Sequence, residues 1–398
     1  MISQTNLSPY IDILPGFIIT FLFSLLLTPF IGFIAKKFKF IDLPVSLRKR
    51  TDKTLAQRIH KNPKLRLGGL SVLIPFVFIV LTMLDGNSKI WGLILGLLVL
   101  IVGGVLDDKF ELDAKKQMLL QILAAAIVVF SGITILKIDV FGSTFNFDQV
   151  STNINLGLFN YHMIFPADII TIVWILLIIN AINWMSGIDA IGEITTFLTA
   201  FTTMLLSVRA GQPEMAMLSA ILAAGILGFL PYNLPPSKIM SGTAGTTGYG
   251  FILAVLAIIS GSKITSAITL LSIPLLDMVW VMIYRFIKLK DQPFLKRPFV
   301  SGDVHLHHRL MSLGLSQVQT LFVETSVVGL ISILAFYLGG FSMPLVSLVI
   351  IFTVLLIVFS IISILSNRKR KEPVEIKPRN PTPPVVSNEP TPEERYAY

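Results

Sequence analysis

One stretch decides how the rest of the chain is interpreted: residues 103–121, GGVLDDKFELDAKKQMLLQ. It ends one apolar run, over 90–106, and leads into a second, over 119–135. The adjacent carboxylates of Asp107 and Asp108 therefore stand between two segments that predict membrane helices. Because a carboxylate is unstable in hydrocarbon, we expect the stretch to lie where a span meets water. Adjacent aspartates at such a place indicate a divalent cation held by oxygen ligands.

An ordinary charged loop is the alternative for this stretch. The spacing argues against it, because in a continuing helix Asp108, Glu111 and Lys115 fall at i, i+3 and i+7, on one face.

The composition is that of a polytopic membrane protein. Of 398 residues, 54% are hydrophobic and 14% charged, and the mean hydropathy is +0.78. The chain has no cysteine, which excludes disulfides and thiolate chemistry. Its net charge of +9 does not indicate nucleic acid, because basic residues in a membrane protein mark the loops that face the cytoplasm.

The apolar runs predict an all-α polytopic integral membrane protein with about eleven transmembrane helices. They cover 11–34, 68–84, 90–106, 118–136, 168–182, 191–208, 214–231, 248–261, 265–287, 319–338 and 343–365. We assign residues 1–366 to this membrane domain and 367–398 to a disordered, basic and Pro-rich cytoplasmic tail. Residues 138–166 predict a short hairpin or surface loop on the outer side.

The charges orient the spans. The connection over 37–67 is rich in Lys and Arg, which places it in the cytoplasm and the N-terminus outside. Counting onward, the connections over 107–117, 183–190, 232–247 and 288–318 and the C-terminus are also cytoplasmic. The loops on the other side hold only Lys89, Lys137, Arg209 and Lys263. Most of the polar sequence motifs therefore lie on one face.

Two of these motifs lie beside spans. Arg58 and His60 precede the paired glycines 68–69, and these cations suit phosphate, although topology alone explains most of their charge. Asn180 and Asn183 stand at i, i+3 near the end of an apolar run, where amides are costly unless they bond. Helix–helix hydrogen bonding is the plainer reading of this pair. Asp189 follows as a possible metal ligand or base.

Two further motifs complete the cytoplasmic face. Asn233 precedes a run of small residues and hydroxyls, 241–248, whose N–H groups could meet a diphosphate or simply allow close helix packing. The second holds a histidine cluster, for which phosphate contact is favoured over zinc in a chain without cysteine. Its residues are His305, His307, His308 and Arg309. Asp277, inside a span, is a functional candidate.

In order and on one side, these residues resemble the polyprenyl-phosphate N-acetylhexosamine-1-phosphate transferases, the superfamily that also makes the first lipid-linked peptidoglycan intermediate. The resemblance implies transfer of a sugar-1-phosphate from a UDP-sugar, with UDP-N-acetylglucosamine favoured, to undecaprenyl phosphate or another polyprenyl phosphate, with release of UMP. It implies Mg²⁺, with Mn²⁺ as a substitute, and a multi-pass protein of the bacterial plasma membrane. Its partners are the lipid, the UDP-sugar and the bilayer, with no nucleic acid, and a homodimer is compatible with it.

The resemblance also implies roles for individual residues. Catalysis and metal binding fall to Asp107, Asp108 and Asp189. Substrate binding falls to a larger set, namely Arg58, His60, Lys115, Asn180, Asn183, Asn233, His305, His307, His308 and Arg309.

The sequence departs from the family pattern at acidic positions. Ser186 and Thr243 stand where the family has aspartates, and Gly302-Asp303 replaces an Asp-Arg pair. Each lost carboxylate is worth about 10² to 10³ in rate. Three readings follow: an active transferase, a catalytically impaired homologue that still binds polyprenyl phosphate or nucleotide sugar, and, more weakly, a membrane transporter. We favour activity, because most of the other motif residues are present.

Overall fold

The computed structural model describes residues 10–44, 62–140, 143–155, 160–259, 268–290, 293, 297, 304–338 and 345–371. Arg58 and His60 lie outside these residues, as does the tail from 372 onward.

Each of the eleven apolar runs coincides with a helix. The helices are α1 (Ile13–Lys37), α2 (Leu70–Met83), α3 (Ser88–Phe110), α4 (Ala114–Phe130), α5 (Ala167–Met185), α6 (Ile191–Arg209), α7 (Pro213–Asn233), α8 (Gly242–Ile259), α9 (Ser272–Lys288), the short α10 (Leu306–Ser312), α11 (Gln317–Leu338) and α12 (Leu345–Lys371). Helix α12 thus continues to Lys371, past the predicted domain boundary at 366.

The class all-α is wrong in one detail, because six short strands are also present. They are β1 (Ile41–Asp42), β2 (Lys64–Leu65), β3 (Lys137–Val140), β4 (Ser143–Asn146), β5 (Val150–Asn155) and β6 (Asn160–Phe165), paired antiparallel in chain order. The last four form two hairpins where the sequence predicted a hairpin or surface loop. A connection between membrane helices can form local hairpins. Apolar periodicity identifies the helices and does not predict this strand pairing.

The chain is a polytopic membrane protein. Among the described residues, seven helices are long and apolar enough to cross a membrane, namely α1, α3, α5, α6, α7, α8 and α11. Helix α1 exposes large apolar side chains such as Leu26 and Phe33, as a lipid-facing helix does, and buries small ones such as Ser24. Helices α7 and α8 are the most enclosed, with 83% of the apolar window buried in each. They form the centre of the bundle.

The stretch over 103–121 is broken rather than continuous. Helix α3 ends at Phe110 because Glu111 takes the left-handed conformation, with φ 50°. Asp113 then begins α4 by accepting a hydrogen bond from the backbone N–H of Lys116 at 2.9 Å. The expectation that Asp108, Glu111 and Lys115 share one helical face is therefore wrong, because a cap separates them.

Helix α8 meets α3 and the start of α2 through backbone contact at glycines. A Cβ added to Gly104 would lie 2.3 Å from the Cα of Ala244, and one added to Gly69 would lie 2.2 Å from the Cα of Gly245. No side chain fits at either position. These contacts bring the first turn of α8 against the last turns of α3, where the candidate site lies.

Candidate active site

The start of α8 holds both carboxylates at the end of α3. The Thr243 backbone N–H donates to Asp108 Oδ1 at 2.9 Å, and the Thr243 hydroxyl donates to Asp107 Oδ2 at 2.5 Å. Carboxylates at a helix N-terminus are stabilised by its unpaired N–H groups and its dipole. Both aspartates are buried. Thr243, a departure from the family pattern, therefore acts here as a donor to the pair.

The two aspartates face different spaces. Asp107 Oδ1 accepts from Gln117 Nε2 at 2.9 Å, and the side chain lines a small cavity of about 20 Å³ with Gln121 and Thr247. Asp108 lines a larger cavity of about 160 Å³, and its Oδ2 has no hydrogen-bond partner among the described residues. The larger cavity is lined by Asp42, Arg66, Asp108, Asn183, Ser186, Ile188, Asp189, Ala190, Glu193, Asn233, Met240, Ser241, Gly242, Thr243 and Thr246. Residues far apart in sequence thus meet at one polar cavity.

Asp189 lines this cavity, but its negative charge is already paired with Lys64. The Lys64 ammonium contacts its two oxygens at 2.5 and 2.6 Å, and the Ser237 N–H and hydroxyl donate to it at 3.2 and 2.8 Å. Burial alone would raise the pKa of Asp189, but the Lys64 and Ser237 contacts outweigh it and lower the pKa below its usual value. Asp189 is therefore an anion paired with a cation of the chain.

Replacing Lys64 by Met should lower stability by about 3 kcal/mol at pH 7, because it leaves a buried carboxylate without its cation. A carboxylate with a depressed pKa contributes stability above its ordinary pKa, 3.8 for Asp, and loses it as the pH falls through the folded-state value. The difference in melting temperature between the two proteins should therefore shrink as the pH is lowered from 7 to below 4. Lys116→Met, at an exposed ion pair with Asp113, is the control and should melt as the wild type does. A deficit independent of pH would contradict the pairing.

Arg66 supplies a cation that lines the cavity itself. Its Nη2 contacts Asp42 Oδ1 at 2.9 Å, and its Nη1 lies 3.8 Å from Asp108 Oδ1. Four carboxylates line the cavity, namely Asp42, Asp108, Asp189 and Glu193. Arg66 and Lys64 therefore offset much of a charge that would otherwise repel an anionic substrate.

Of the three predicted asparagines, Asn180 joins two helices, whereas Asn183 and Asn233 line the cavity. Asn180 Nδ2 donates to Gln121 Oε1 on α4 at 2.8 Å, which is the helix–helix bond considered as its plainer role. Asn183 lines the cavity and accepts from the Thr246 hydroxyl at 2.6 Å. Asn233 also lines it, donates to the carbonyl of Ile239 at 2.9 Å, and leaves its buried Oδ1 without a partner among the described residues.

Comparison with known proteins fits this arrangement. Residues 90–261, from α3 to α8, match the family described as glycosyl transferase family 4. The chain is 31% identical over 357 residues to the probable undecaprenyl-phosphate N-acetylglucosaminyl 1-phosphate transferase of Bacillus subtilis (strain 168), covering 88% of this chain and 90% of the relative. The chain belongs to the polyprenyl-phosphate N-acetylhexosamine-1-phosphate transferase superfamily. This membership confirms the resemblance seen in the sequence and makes the chain an enzyme of the phosphotransferase kind.

This transferase is also similar to two further members of the family. It is 28% identical over 325 residues, 78% of its length and 80% of the relative, to the undecaprenyl-phosphate alpha-N-acetylglucosaminyl 1-phosphate transferase of Escherichia coli (strain K12). It is 24% identical over 304 residues, 71% of its length and 86% of the relative, to the phospho-N-acetylmuramoyl-pentapeptide-transferase of Symbiobacterium thermophilum.

The histidine cluster of the transferase packs behind the cavity. His305 Nδ1 lies 2.7 Å from Asp277 Oδ2, and the Leu306 N–H donates to Asp277 Oδ1 at 2.7 Å. His307 lies against Gly187, where an added Cβ would be 2.1 Å from His307 Nε2. Burial, with a smaller effect from His308, lowers the pKa of His307 to about 3, so its ring is neutral at physiological pH. The cluster thus supports the Ser186–Asp189 loop from outside.

The remaining predicted residues lie away from the cavity wall. His308 is partly buried beside His307, with the ring centroids 4.4 Å apart. Arg309 Nε donates to the Val304 carbonyl at 2.7 Å, and its guanidinium lies over the rings of Trp280 and Tyr284. Lys115 is exposed near the start of α4. Their roles in substrate binding remain predictions.

Sequence reasoning missed four residues that shape the cavity: Lys64, Arg66, Glu193 and Ser241. The two cations were present in the basic loop, but their charge was attributed to membrane orientation. Glu193 follows Asp189 by four residues, in the first turn of α6, and carried a signal of its own as an acid inside an apolar run. Ser241 gave none.

The cavity wall offers oxygen ligands that suit a divalent cation. Among the described residues, no group of three or more His, Cys, Asp or Glu side chains is arranged to hold a metal ion by itself. However, Mg²⁺ is commonly bound by one or two carboxylates together with substrate phosphates. The buried, unpartnered oxygens of Asp108 and Asn233 are acceptors that a hard cation would satisfy. The donor set therefore fits Mg²⁺ shared with a substrate.

Proposed function

We propose that this enzyme transfers an N-acetylhexosamine-1-phosphate from a UDP-sugar to undecaprenyl phosphate, or a similar polyprenyl phosphate, and releases UMP. The observation that carries the proposal is the carboxylate pair Asp107–Asp108, held by the first turn of α8 at the edge of a polar cavity among apolar helices. A lipid phosphate reaches such a place from the bilayer, and a nucleotide sugar reaches it from the cytoplasm. The product would begin a cell-wall or surface polysaccharide intermediate.

The chemistry makes clear demands on the cavity. An oxygen of the lipid phosphate attacks the phosphorus that carries the sugar, and the bond from that phosphorus to the oxygen of UMP breaks. Little covalent work falls to the protein, so catalysis depends on positioning and on neutralising charge. Arg66 provides a cation at the wall, and Asn183 and Asn233 provide amides to orient the donor. Asp108 would hold Mg²⁺ at this cavity, and the bound ion would supply positive charge against the phosphates.

The membrane arrangement is part of the proposal. About eleven spans, an outer N-terminus and a cytoplasmic C-terminus would place the cavity on the cytoplasmic face of a bacterial plasma membrane. The basic connection that carries Lys64 and Arg66 supports this orientation. The predicted homodimer has no bearing on the cavity, which a single chain forms.

A catalytically impaired homologue is the second candidate, and Ser186 favours it. The Ser186 hydroxyl donates to the carbonyl of Ile182 at 2.8 Å, within its own helix, and so supplies no negative charge to the cavity. Such a protein would bind the lipid or the nucleotide sugar without turnover. We favour activity because Asp107 and Asp108 are retained at the end of α3 and Asp189 is retained in the connection between α5 and α6.

A membrane assay distinguishes the two candidates. Membranes containing the full chain, given UDP-N-acetylglucosamine, undecaprenyl phosphate and Mg²⁺, should release UMP in proportion to the lipid added. Membranes without the chain are the control. Measurable binding of UDP-N-acetylglucosamine with no UMP from any of several UDP-hexosamines would reject activity and support the impaired homologue.

A further inference from the structure

One carboxylate of the cavity has no role in the reaction described so far. Glu193 lies in the first turn of α6, is buried with 4% of its surface exposed, and lines the same cavity as Asp108. The Ser241 hydroxyl donates to its Oε1. A carboxylate buried among helices is costly unless something compensates its charge. This hydroxyl contact does not supply a positive charge.

Two other side chains of the wall each leave one buried oxygen without a hydrogen-bond partner in the part of the chain that the structure describes. Asp108 Oδ2 and Asn233 Oδ1 are buried and have no hydrogen-bond partner among the described residues. The two side chains are 5% and 2% exposed. Both are acceptors only, so a donor or a cation must meet them. Two orphaned acceptors and a carboxylate on one cavity wall make a cation the simplest common partner.

Asn233, Glu193 and Asp108 all contact one short segment, residues 239–242. Asn233 Nδ2 donates to the carbonyl of Ile239, and Ser241 donates to Glu193. The next residue, Gly242, lies against Asp108, because an added Cβ there would be 2.2 Å from Asp108 Oδ2. Residues 239–242 span at most about 10 Å even when extended. The three side chains therefore lie along this segment and line the same cavity.

We propose that Glu193 is a cation-binding carboxylate of this cavity, acting with Asp108 Oδ2 and Asn233 Oδ1 and leaving further positions to phosphate oxygens. The proposal deepens the proposed function, on which it rests for the phosphates. It assigns to Glu193 a charge that the chain lacks at Ser186 and Thr243. Two carboxylates and an amide oxygen suit Mg²⁺ or Mn²⁺, which take oxygen ligands. Asp189 stays outside the set because Lys64 occupies its oxygens.

Binding of Mn²⁺ to the purified full chain in detergent, measured by electron paramagnetic resonance without substrate, tests the assignment. The wild type should bind Mn²⁺, and Glu193→Gln should weaken that binding by about tenfold or more while it keeps an acceptor for Ser241. Glu193→Asp retains the charge and should lose less. Glu214→Gln, at an exposed glutamate in the first turn of α7, is the control and should bind as the wild type does. Thermal melting of each variant verifies the fold.

The outcomes separate this inference from the proposed function. Wild-type affinity in folded Glu193→Gln, or equal losses in the Gln and Asp variants, would overturn the assignment, and so would a wild type that binds no Mn²⁺. UMP release by the same wild-type preparation would leave the transferase function standing in each of those cases. Conversely, Mn²⁺ binding that depends on Glu193 without any UMP release would support the cation site and reject the transferase.

Discussion

Asp108→Asn should reduce UMP release by a factor of about 10² to 10³, the cost typical of removing one electrostatic group from a transfer site. The asparagine keeps an oxygen that can accept from the Thr243 N–H, so the contact between α3 and α8 survives. What it removes is the negative charge of a side chain that lines the cavity. The loss should therefore appear in turnover with little change in folding.

Initial rates of UMP release in membranes, normalised to the amount of the chain, measure this effect. Asp85→Asn, an exposed aspartate in the short connection between α2 and α3, removes the same charge elsewhere and should be neutral. A folded Asp108→Asn variant with undiminished turnover would refute the placement of the site. Loss of melting temperature together with activity would instead assign Asp108 a structural role.

Gly104→Ala should give the second large effect, this time through packing. The new methyl group would lie 2.3 Å from the Cα and 2.4 Å from the N of Ala244, which are backbone atoms that cannot rotate away. Overpacking of this kind costs about 1–3 kcal/mol or more. The strain would also displace the first turn of α8, which holds both carboxylates. We expect a lower melting temperature and a transfer rate reduced by at least about tenfold, because small misplacements at a reacting site are costly.

Gly32→Ala in α1 is the matched control, since no heavy atom lies within 4 Å of the added Cβ. It should melt at the wild-type temperature or slightly above, because alanine favours helix over glycine by about 1 kcal/mol. Equal behaviour of the two alanine variants, in melting temperature and in UMP release, would contradict the close approach of α3 and α8.

Much of this fold could be predicted from the sequence, because each membrane span requires a long apolar run that is easily identified. Each of the eleven runs coincides with a helix, since a chain in hydrocarbon must satisfy its backbone internally. The breaks between helices were harder. The spacing after Asp108 favoured a continuing helix within the predicted connection over 107–117, whereas Glu111 ends α3 and Asp113 begins α4. Local cap chemistry decides such short connections.

The candidate site was only partly predictable for a different reason. Charges at the ends of apolar runs identified Asp107, Asp108 and Asp189, but nothing in the spacing shows which partner each acquires. Lys64 lies 125 residues from Asp189 in the chain, and periodicity carries no information at that range. Asn180 and Asn183 looked alike, yet one joins two helices and the other lines the cavity. Only the packing distinguishes them.

The backbone link between β2 and the start of α8 has a consequence for exchanging parts among relatives. Met240 donates to the carbonyl of Leu65 at 2.8 Å, and Gly68 and Gly69 donate to the carbonyls of Met240 and Ser241 at 2.8 and 2.9 Å. These bonds fasten two connections, far apart in sequence, into one wall. A chimera that takes residues 64–69 from another transferase should therefore take 237–243 with them. If only one segment were exchanged, its backbone would have to fit a partner segment from a different protein. Side-chain rearrangement could not restore the backbone hydrogen bonds between them.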